Sequence, residues 1–329
     1  MTHYLYILAT TLLLSACSTG QTPQPATNGN APSAPAARQM PAFSADSAYA
    51  AIGRQLDFGP RVPGSEAQQK CAEWLEAELK RHGATVVTER TEVKAYDGTL
   101  LPCINLVGSF NPEAKNRVLL MSHWDSRHIA DQDPDISKRQ LPVPAANDGA
   151  SGVGVLLEIA RQAGLMQPRM GIDIFLTDAE DYGAPDDWSG QHDERHWALG
   201  TQEWCRHPHT SNYQPVYGVL LDMVGSGDAT FYREYYSDRY ASDVVDLVWK
   251  TAAQLGYRDL FVNQQGAGIT DDHVFVNQMR HIPTIDIIDT RMSSGGTFYP
   301  YWHTTDDTLD KISVETLQKV GNVLTALLW

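Results

Sequence analysis

Six apolar segments of strand length alternate with segments of helical periodicity, and this alternation constrains the fold more than any other feature of the chain. The predicted strands are Thr85–Val93, Asn105–Ser109, Arg117–Ser122, Ile172–Thr177, Tyr217–Leu221 and Pro283–Ile288. The predicted helices are Ser65–His82, Ser151–Ala163, Trp197–Cys205, Ser242–Leu255, Asp271–Gln278 and Ser313–Leu328. Several strands are apolar nearly throughout, as strands covered on both faces are. The pattern predicts an α/β three-layer sandwich with a central mixed, mainly parallel sheet flanked by helices.

The residues that follow these strands indicate a functional edge of the sheet. His123 and Asp125 follow the third predicted strand, Glu180 and Asp181 follow the fourth, and Asp222 follows the fifth. Because ligands collect outside the carboxyl ends of parallel strands, we expect these side chains to lie close together. A single Asp after a strand is more often a turn or capping residue, so the prediction depends on the group.

The first 41 residues are not expected to belong to the folded part. Residues 1–17 contain a short apolar core, Leu5–Leu14, and end in Leu-Ser-Ala-Cys at Cys17, which resembles a bacterial lipobox. Residues 18–41 are rich in Pro, Ala, Ser and Gln and predict a flexible tether. We therefore expect a lipoprotein signal peptide, a tether and one folded domain over 42–329, facing the periplasm of a bacterial cell envelope. A signal peptide cleaved elsewhere is the alternative.

The charge of the chain limits the classes of partner that it can bind. The net charge is −15 and no Lys/Arg-rich run occurs, which argues against nucleic acid or an anionic membrane surface. We expect a monomer that meets the membrane only through its lipid anchor.

Cys71, Cys103 and Cys205 lack C-x-x-C spacing, which argues against a cysteine zinc site. One disulfide among them suits an oxidising periplasm, and the pairing stays open.

Three polar segments carry side chains that can hold a metal ion. Asp148 lies in a loop of small residues that opens a predicted helix, where it can approach a ligand or simply cap the helix. Glu180 and Asp181 are neighbours on an extended chain and point opposite ways, so one can bind a metal while the other faces a substrate. The alternative is a pair of solvated loop acids. His303 lies in a polar loop and can bind as a neutral imidazole.

In chain order these segments resemble the co-catalytic zinc aminopeptidase superfamily. The motifs that carry the resemblance are His123-x-Asp125, Asp148-Gly149, Glu180-Asp181, Asp222 and His303-Thr304-x-Asp306-Asp307. The match runs from about residue 50 to the end, and the motifs are specific in combination. Two branches of the superfamily compete. Aminopeptidases use two zinc ions bridged by the Asp of the glycine loop, whereas glutaminyl cyclases keep similar side chains and typically hold one.

Three features favour the cyclase branch. Trp302 precedes His303, as in the Val-Trp-His-Thr segments of cyclases. Asp271 opens Asp-Asp-His-Val-Phe, similar to the cyclase pattern Asp-Asp-His-x-x-Phe. Trp188 follows the Glu180–Asp181 pair within a short loop. Each tryptophan taken alone is more often a packing residue, so the combination supports the interpretation.

The resemblance implies a zinc-dependent catalytic domain that cyclises the N-terminal Gln of peptides or proteins to pyroglutamate and releases ammonia. One zinc ion would be bound by Asp148, Asp181 and His303. Glu180 would transfer the proton, with Asp222 and Asp271 orienting it and the substrate amine. Trp188, Phe298 and Trp302 would wall the pocket, and His123 and Asp125 would support the ligands or hold a second metal.

Some positions depart from the cyclase pattern. The glycine loop is closer to the aminopeptidase form, Asp181 stands where Glu is common, and Asp286 stands where animal cyclases carry His. The alternatives are therefore a di-zinc aminopeptidase that releases N-terminal amino acids and a non-catalytic zinc-containing binding protein. Asp306 and Asp307 are expected to brace the turn into the last helix. Whether the polar insertion Asp131–Pro144 acts as a lid is left open.

Overall fold

A six-stranded sheet forms the centre of the protein in the computed structural model, which describes residues 40–291 and 298–329. Its strands are β1 (Thr85–Lys94), β2 (Leu100–Phe110), β3 (Arg117–His123), β4 (Gly171–Thr177), β5 (Tyr217–Asp222) and β8 (Thr284–Ile288), and a separate pair is formed by β6 (Phe231–Arg233) and β7 (Phe261–Gln265). The strand order is β1-β2-β4-β3-β5-β8. The strands β4, β3, β5 and β8 run parallel, and β1 and β2 are antiparallel to their neighbours. The predicted mixed, mainly parallel sheet is confirmed.

Helices cover both faces of this sheet. They are α1 (Ala45–Asp57), α2 (Glu66–Arg81), α3 (Ala150–Leu165), α4 (Leu199–Arg206), α5 (Tyr235–Gln254), α6 (Asp272–Phe275) and α7 (Val314–Leu328). The larger core cluster joins one sheet face to α1, α2, α3, α5 and α7. A smaller cluster joins the other face to α4 and to a π-helical turn, Val276–Arg280, that continues α6. The three-layer sandwich is therefore confirmed.

The central strand β3 shows how the sequence produces this arrangement. Val118 and Leu120 belong to the larger core cluster, whereas Leu119 and Met121 belong to the smaller one. Successive side chains of a strand point to opposite faces, so an uninterrupted apolar run is buried on both sides. The apolar run ends at Ser122, and the strand then ends at His123.

Some elements differ from the sequence prediction. The helix α1 was not predicted because Ile52 is the one large apolar side chain among its buried residues, which are Ala45, Ala48, Ile52 and Gln55. The short strands β6 and β7 were also missed, since most of β7 is exposed and polar. The helix α5 begins before the predicted Ser242. It contains non-helical backbone at Ala241 (φ −146°, ψ 42°), which breaks the apolar periodicity at that point.

The predicted signal peptide, tether and lipidation site at Cys17 lie almost wholly outside the described residues, so these and the domain boundary at residue 42 stay predictions. Cys71, Cys103 and Cys205 are buried and free, so none of the pairings left open forms among them. Within 40–291 and 298–329, no helix combines the length and apolar character needed to cross a membrane.

Candidate metal centre and active site

Asp148, Asp181 and His303 meet at the carboxyl edge of the sheet. His303 Nε2 lies 3.0 Å from Asp181 Oδ1 and 3.6 Å from Asp148 Oδ2. One ligand atom from each residue lies within 4.8 Å of the others, and all three side chains are buried. The oxygens Asp148 Oδ2 and Asp181 Oδ2 are buried without a hydrogen-bond partner in the described part of the chain. Because unsatisfied buried carboxylates are costly, one imidazole nitrogen and two such oxygens fit a zinc ion.

His123 forms a second cluster that shares Asp148 with the first. Its Nε2 lies 3.0 Å from Asp148 Oδ1 and 3.2 Å from Asp222 Oδ1. Its Nδ1 lies 3.4 Å from Asp125 Oδ1. The ligand atoms of His123, Asp148 and Asp222 also lie within 4.8 Å of one another. These side chains can therefore support the first cluster or hold a second cation.

The glycine loop brings Asp148 between the two histidines. Gly149 adopts φ 89° and ψ −60°, a conformation that side chains disfavour. A Cβ atom on Gly149 would lie 2.7 Å from Cε1 of His123. This position therefore needs glycine both for its backbone and for its contact with the imidazole, and α3 begins at the next residue.

Asp125 holds Glu180 and Asp181 through their backbone. The N–H of Glu180 donates to Asp125 Oδ1 at 3.1 Å, and the N–H of Asp181 donates to Oδ2 at 3.2 Å. The preceding residue, Ala179, has φ 54°, which turns the chain sharply after β4. One carboxylate therefore fixes the direction of both acidic side chains and also approaches His123.

Asp307 binds the backbone of the glycine loop, a role that the sequence did not predict. Its carboxylate accepts hydrogen bonds from the N–H of Asn147 at 2.9 Å and of Asp148 at 3.1 Å. It also accepts from the hydroxyl of Tyr299. Burial raises the pKa of Asp307 to about 7. The turn towards the last helix is therefore tied directly to the loop that carries Asp148.

The acids around Glu180 are buried together, and this raises their pKa values. Burial and the neighbouring Asp271 raise the pKa of Glu180 well above its ordinary value. Burial and Asp222 raise the pKa of Asp271 to about 7. Asp286 is fully buried, and burial together with the nearby Asp271 raises the pKa of Asp286. A carboxyl group with a raised pKa can hold and release a proton near neutral pH.

A cavity of about 240 Å³ opens onto these residues. Its polar lining includes Asp148, Glu180, Asp181, Asp222, Asp271 and His303. Its aromatic lining includes Phe298 and Trp302, two of the predicted wall residues, together with Trp197. Trp188 is not part of the lining and packs edge-on against Tyr96, with ring centroids 4.9 Å apart. Trp197, which was predicted only as the start of a helix, takes the place in the wall expected for Trp188.

Two charged residues near His303 were missed in the sequence. The guanidinium of Arg127 donates to both carboxylate oxygens of Asp131, at 2.7 and 2.8 Å, and to the backbone carbonyl of Asp181 at 3.1 Å. Asp131 Oδ1 lies 3.2 Å from His303 Nδ1. No periodicity or spacing marks these residues, because their contacts join separate loops.

Comparisons with known proteins agree with this geometry. The model of peptidase family M28 matches residues 105–328, and the chain belongs to this family. Bovine glutaminyl-peptide cyclotransferase is 25% identical over 248 residues, which cover 67% of this chain and 64% of the relative. The match thus spans just under two thirds of that relative's length.

Two solved bacterial structures are more similar. Tannerella forsythia glutaminyl cyclase is 49% identical with a TM-score of 0.85, covering 87% of this chain and 98% of the other. A Zn-dependent exopeptidase from Parabacteroides distasonis is 48% identical with a TM-score of 0.86, covering 88% and 99%. One of these neighbours is thus a glutaminyl cyclase and the other is described as a zinc-dependent exopeptidase.

Proposed function

We propose that this protein is a zinc-dependent glutaminyl cyclase, which converts the N-terminal Gln of peptides or proteins to pyroglutamate and releases ammonia. The observation that carries the proposal is the buried Glu180, which lines one aromatic-walled cavity together with Asp271 and the Asp148–Asp181–His303 cluster. The similarity to bacterial and bovine cyclases supports it.

Asp148, Asp181 and His303 would hold the zinc ion. When bound, zinc supplies a Lewis acid that polarises the side-chain amide carbonyl of the substrate Gln. The donor set of two carboxylates and one imidazole leaves room for such a ligand. We propose a single ion, with His123 and Asp222 hydrogen bonded to the cluster rather than binding a second one.

Glu180 would move the proton that the reaction requires. The substrate α-amine nitrogen attacks the side-chain amide carbon and forms the ring bond, and the bond from that carbon to the amide nitrogen breaks. The amine loses one proton and the leaving NH₂ group gains one, so a carboxylate that accepts and then donates the same proton balances the reaction. Burial and Asp271 raise the pKa of Glu180, so its carboxyl group holds a proton more readily than an exposed glutamate does, as this exchange requires.

The other cavity residues would orient the substrate and exclude water. Asp222 and Asp271 are buried acceptors beside Glu180 and can bind the N–H groups of the substrate amine. Trp197, Phe298 and Trp302 form the apolar wall. Holding the amine against the amide carbon supplies much of the rate, because the nucleophile and the reacting carbonyl belong to one molecule.

A di-zinc aminopeptidase is the second candidate, and one observation favours it. Asp148 belongs both to the cluster with Asp181 and His303 and to the cluster with His123 and Asp222, as a bridging ligand would. The similarity to a Zn-dependent exopeptidase is of the same order as the similarity to the cyclase. A second cation would have to replace the contacts that His123 Nε2 makes with both carboxylates.

A peptide assay separates these activities. Peptides beginning with Gln should release ammonium on incubation with the zinc-loaded protein, and peptides beginning with Leu should stay intact. Release of free N-terminal amino acids would instead establish the aminopeptidase. Absence of both reactions in zinc-loaded protein would favour a binding protein. Zinc stoichiometry measured on the same sample distinguishes one ion from two.

Glu180→Gln tests the assignment of the proton-transfer group. This variant should bind zinc normally and lose turnover by about 10²- to 10⁴-fold. The matched control is Glu194→Gln, which changes an exposed acid and should keep full activity. Normal turnover in Glu180→Gln would refute the assignment.

We also propose that the protein is exported as a monomer and anchored to the envelope through lipid on Cys17, with its domain facing the periplasm. The short apolar segment before Cys17 and the polar tether after it support export and the lipid anchor. Cells fed labelled palmitate should label the wild-type protein but not Cys17→Ser. Equal labelling of both proteins would contradict it.

A further inference from the structure

A short segment, Arg127–Asp133, is attached to the loop that carries His303. The N–H of Gln132 donates to the carbonyl of His303 at 3.2 Å. Asp133 Oδ2 accepts from the N–H of Thr305 at 3.0 Å and from its hydroxyl at 2.7 Å. These contacts fix the backbone at the carbonyl of His303 and at Thr305, just after it, to one segment.

Asp131 approaches the side chain of His303 rather than its backbone. Its Oδ1 lies 3.2 Å from His303 Nδ1, the ring nitrogen that faces away from the metal cluster. The other nitrogen, Nε2, lies 3.0 Å from Asp181 Oδ1. A carboxylate on the far nitrogen of a metal-binding histidine fixes the tautomer and the orientation of the ring.

Arg127 connects Asp131 to a second proposed ligand. It binds the Asp131 carboxylate through Nε and Nη2, and its Nη1 donates to the carbonyl of Asp181 at 3.1 Å and to Asp181 Oδ1 at 3.4 Å. The Arg127 side chain is 1% exposed. A buried, bidentate guanidinium gives a directional contact that a lysine cannot reproduce.

Aromatic rings limit the remaining freedom of this group. The Trp302 ring stacks on His303 with centroids 3.7 Å apart. The guanidinium of Arg127 lies over Trp197 at 5.1 Å from the ring centroid. The plane of the imidazole is therefore fixed by packing, and Asp131 is left to determine which of the two flipped orientations about the Cβ–Cγ bond the ring adopts.

We infer that Asp131 and Arg127 are positioning residues of the metal centre, which hold the imidazole of His303 with Nε2 directed at the zinc ion and keep Asp181 beside it. Neither residue contacts the substrate cavity. The inference rests on the proposed zinc dependence, but it concerns metal affinity and not the reaction that follows.

Zinc binding to the metal-free protein tests this role without an activity assay. The apparent zinc affinity is measured by competition with a chromogenic chelator. Asp131→Asn keeps the shape of the side chain and removes its charge, and it should weaken zinc binding about 10- to 100-fold. The control is Asp133→Asn, which braces the same loop through Thr305 without contacting the imidazole and should bind zinc like the wild type. Arg127→Lys keeps the charge but not the bidentate contact, so its zinc affinity should lie between those of Asp131→Asn and Asp133→Asn.

Two readouts separate positioning from general loop stability. The cobalt-substituted Asp131→Asn protein should show a shifted ligand-field spectrum, and kcat for Gln peptides should fall while KM stays close to the wild-type value. Nitrogen NMR of wild-type zinc protein with labelled histidine should show His303 bound through Nε2 and protonated at Nδ1, so the test does not depend on any variant folding. Zinc binding through Nδ1, or equal affinities of Asp131→Asn and Asp133→Asn, would overturn the inference. Normal zinc binding without Gln cyclisation would overturn the proposed function and leave the inference intact.

Discussion

Replacing Gly149 with alanine tests how closely the glycine loop is fitted to His123. The added methyl group would meet Cε1 of His123 at 2.7 Å, Nδ1 at 3.0 Å and Nε2 at 3.1 Å. The imidazole has little room to move away, because Asp125, Asp148 and Asp222 hold its two nitrogens. We therefore expect Gly149→Ala to destabilise the protein through both its backbone and this contact.

The magnitude has two parts. A non-glycine residue at φ 89° and ψ −60° costs about 1–3 kcal/mol of backbone strain. Forcing a methyl group into a packed site costs about 1–3 kcal/mol more. The sum, about 2–6 kcal/mol, is a large part of the total stability of about 5–15 kcal/mol that is usual for a folded domain.

Urea denaturation of the metal-free protein measures the loss without a contribution from metal binding. Gly83→Ala is the matched control, because Gly83 has φ 93° and no atom within 4 Å of the added methyl group. Gly83→Ala should lower the free energy of unfolding only through backbone strain, so the free energies of unfolding of the two variants should differ by about 1–3 kcal/mol. His123→Ala removes the imidazole that the added methyl group would meet. In the His123→Ala background, Gly149→Ala should therefore lower the free energy of unfolding only by the backbone part. Equal losses at Gly149 and Gly83, or an undiminished loss at Gly149 in the His123→Ala background, would refute the reasoning.

Three further predictions concern the same edge of the sheet and its surroundings. Asp125→Asn replaces a carboxylate oxygen that accepts a backbone N–H with an amide group that donates, so kcat should fall about 10- to 100-fold. A wild-type kcat in this variant would contradict the role of Asp125. Dialysis against a chelator should abolish turnover and lower Tm, and added zinc should restore both; full activity of the metal-free protein would exclude zinc dependence. Burial raises the pKa of Asp289 to about 6, so the folded state keeps a proton that the unfolded state releases from about pH 4 upward. The free energy of unfolding should therefore fall as pH rises from about 4 to 6, and urea titrations of Asp289→Asn should show a flatter dependence across that window.

The sequence predicted the central sheet well because the physical signal was strong. A strand buried on both faces is apolar over most of its length, and β3, β4 and β5 have that pattern. The elements that were missed lack such a signal. The strand β7 is mostly exposed and polar, and α1 buries one large apolar side chain, Ile52, beside two alanines and a glutamine, which is a weak apolar pattern.

The convergence of His123, Asp181 and Asp222 was also predictable, since the ends of parallel strands share one edge of the sheet. The supporting contacts were not. Asp307 reaches Asp148 across a sequence separation of 159 residues, and Arg127 joins two loops. Such contacts depend on how irregular segments pack, and irregular segments have no periodicity to read. The same reason explains why Trp197 rather than Trp188 lines the cavity.

Backbone strain is the part of the site that the sequence conceals most completely. Ala179, Met223 and His303 have φ values of 54°, 49° and 54°, although none of them is glycine. Each costs about 1–2 kcal/mol relative to a right-handed or extended conformation. Ala179 precedes Glu180 after β4, and Met223 follows Asp222 at the end of β5, so the chain turns sharply beside an acidic cavity residue at the end of each strand.

The strain persists because other contacts fix the same backbone. The N–H of Leu199 donates to the carbonyl of Ala179 at 3.1 Å, and the N–H of Gln132 donates to that of His303 at 3.2 Å. Met223 packs in a small cluster with Ile288 and Tyr299. A strained residue is retained where the surrounding structure holds it in place, and such residues concentrate at functional sites. The backbone around the cavity is thus held in its strained conformation by contacts that form when the whole domain folds.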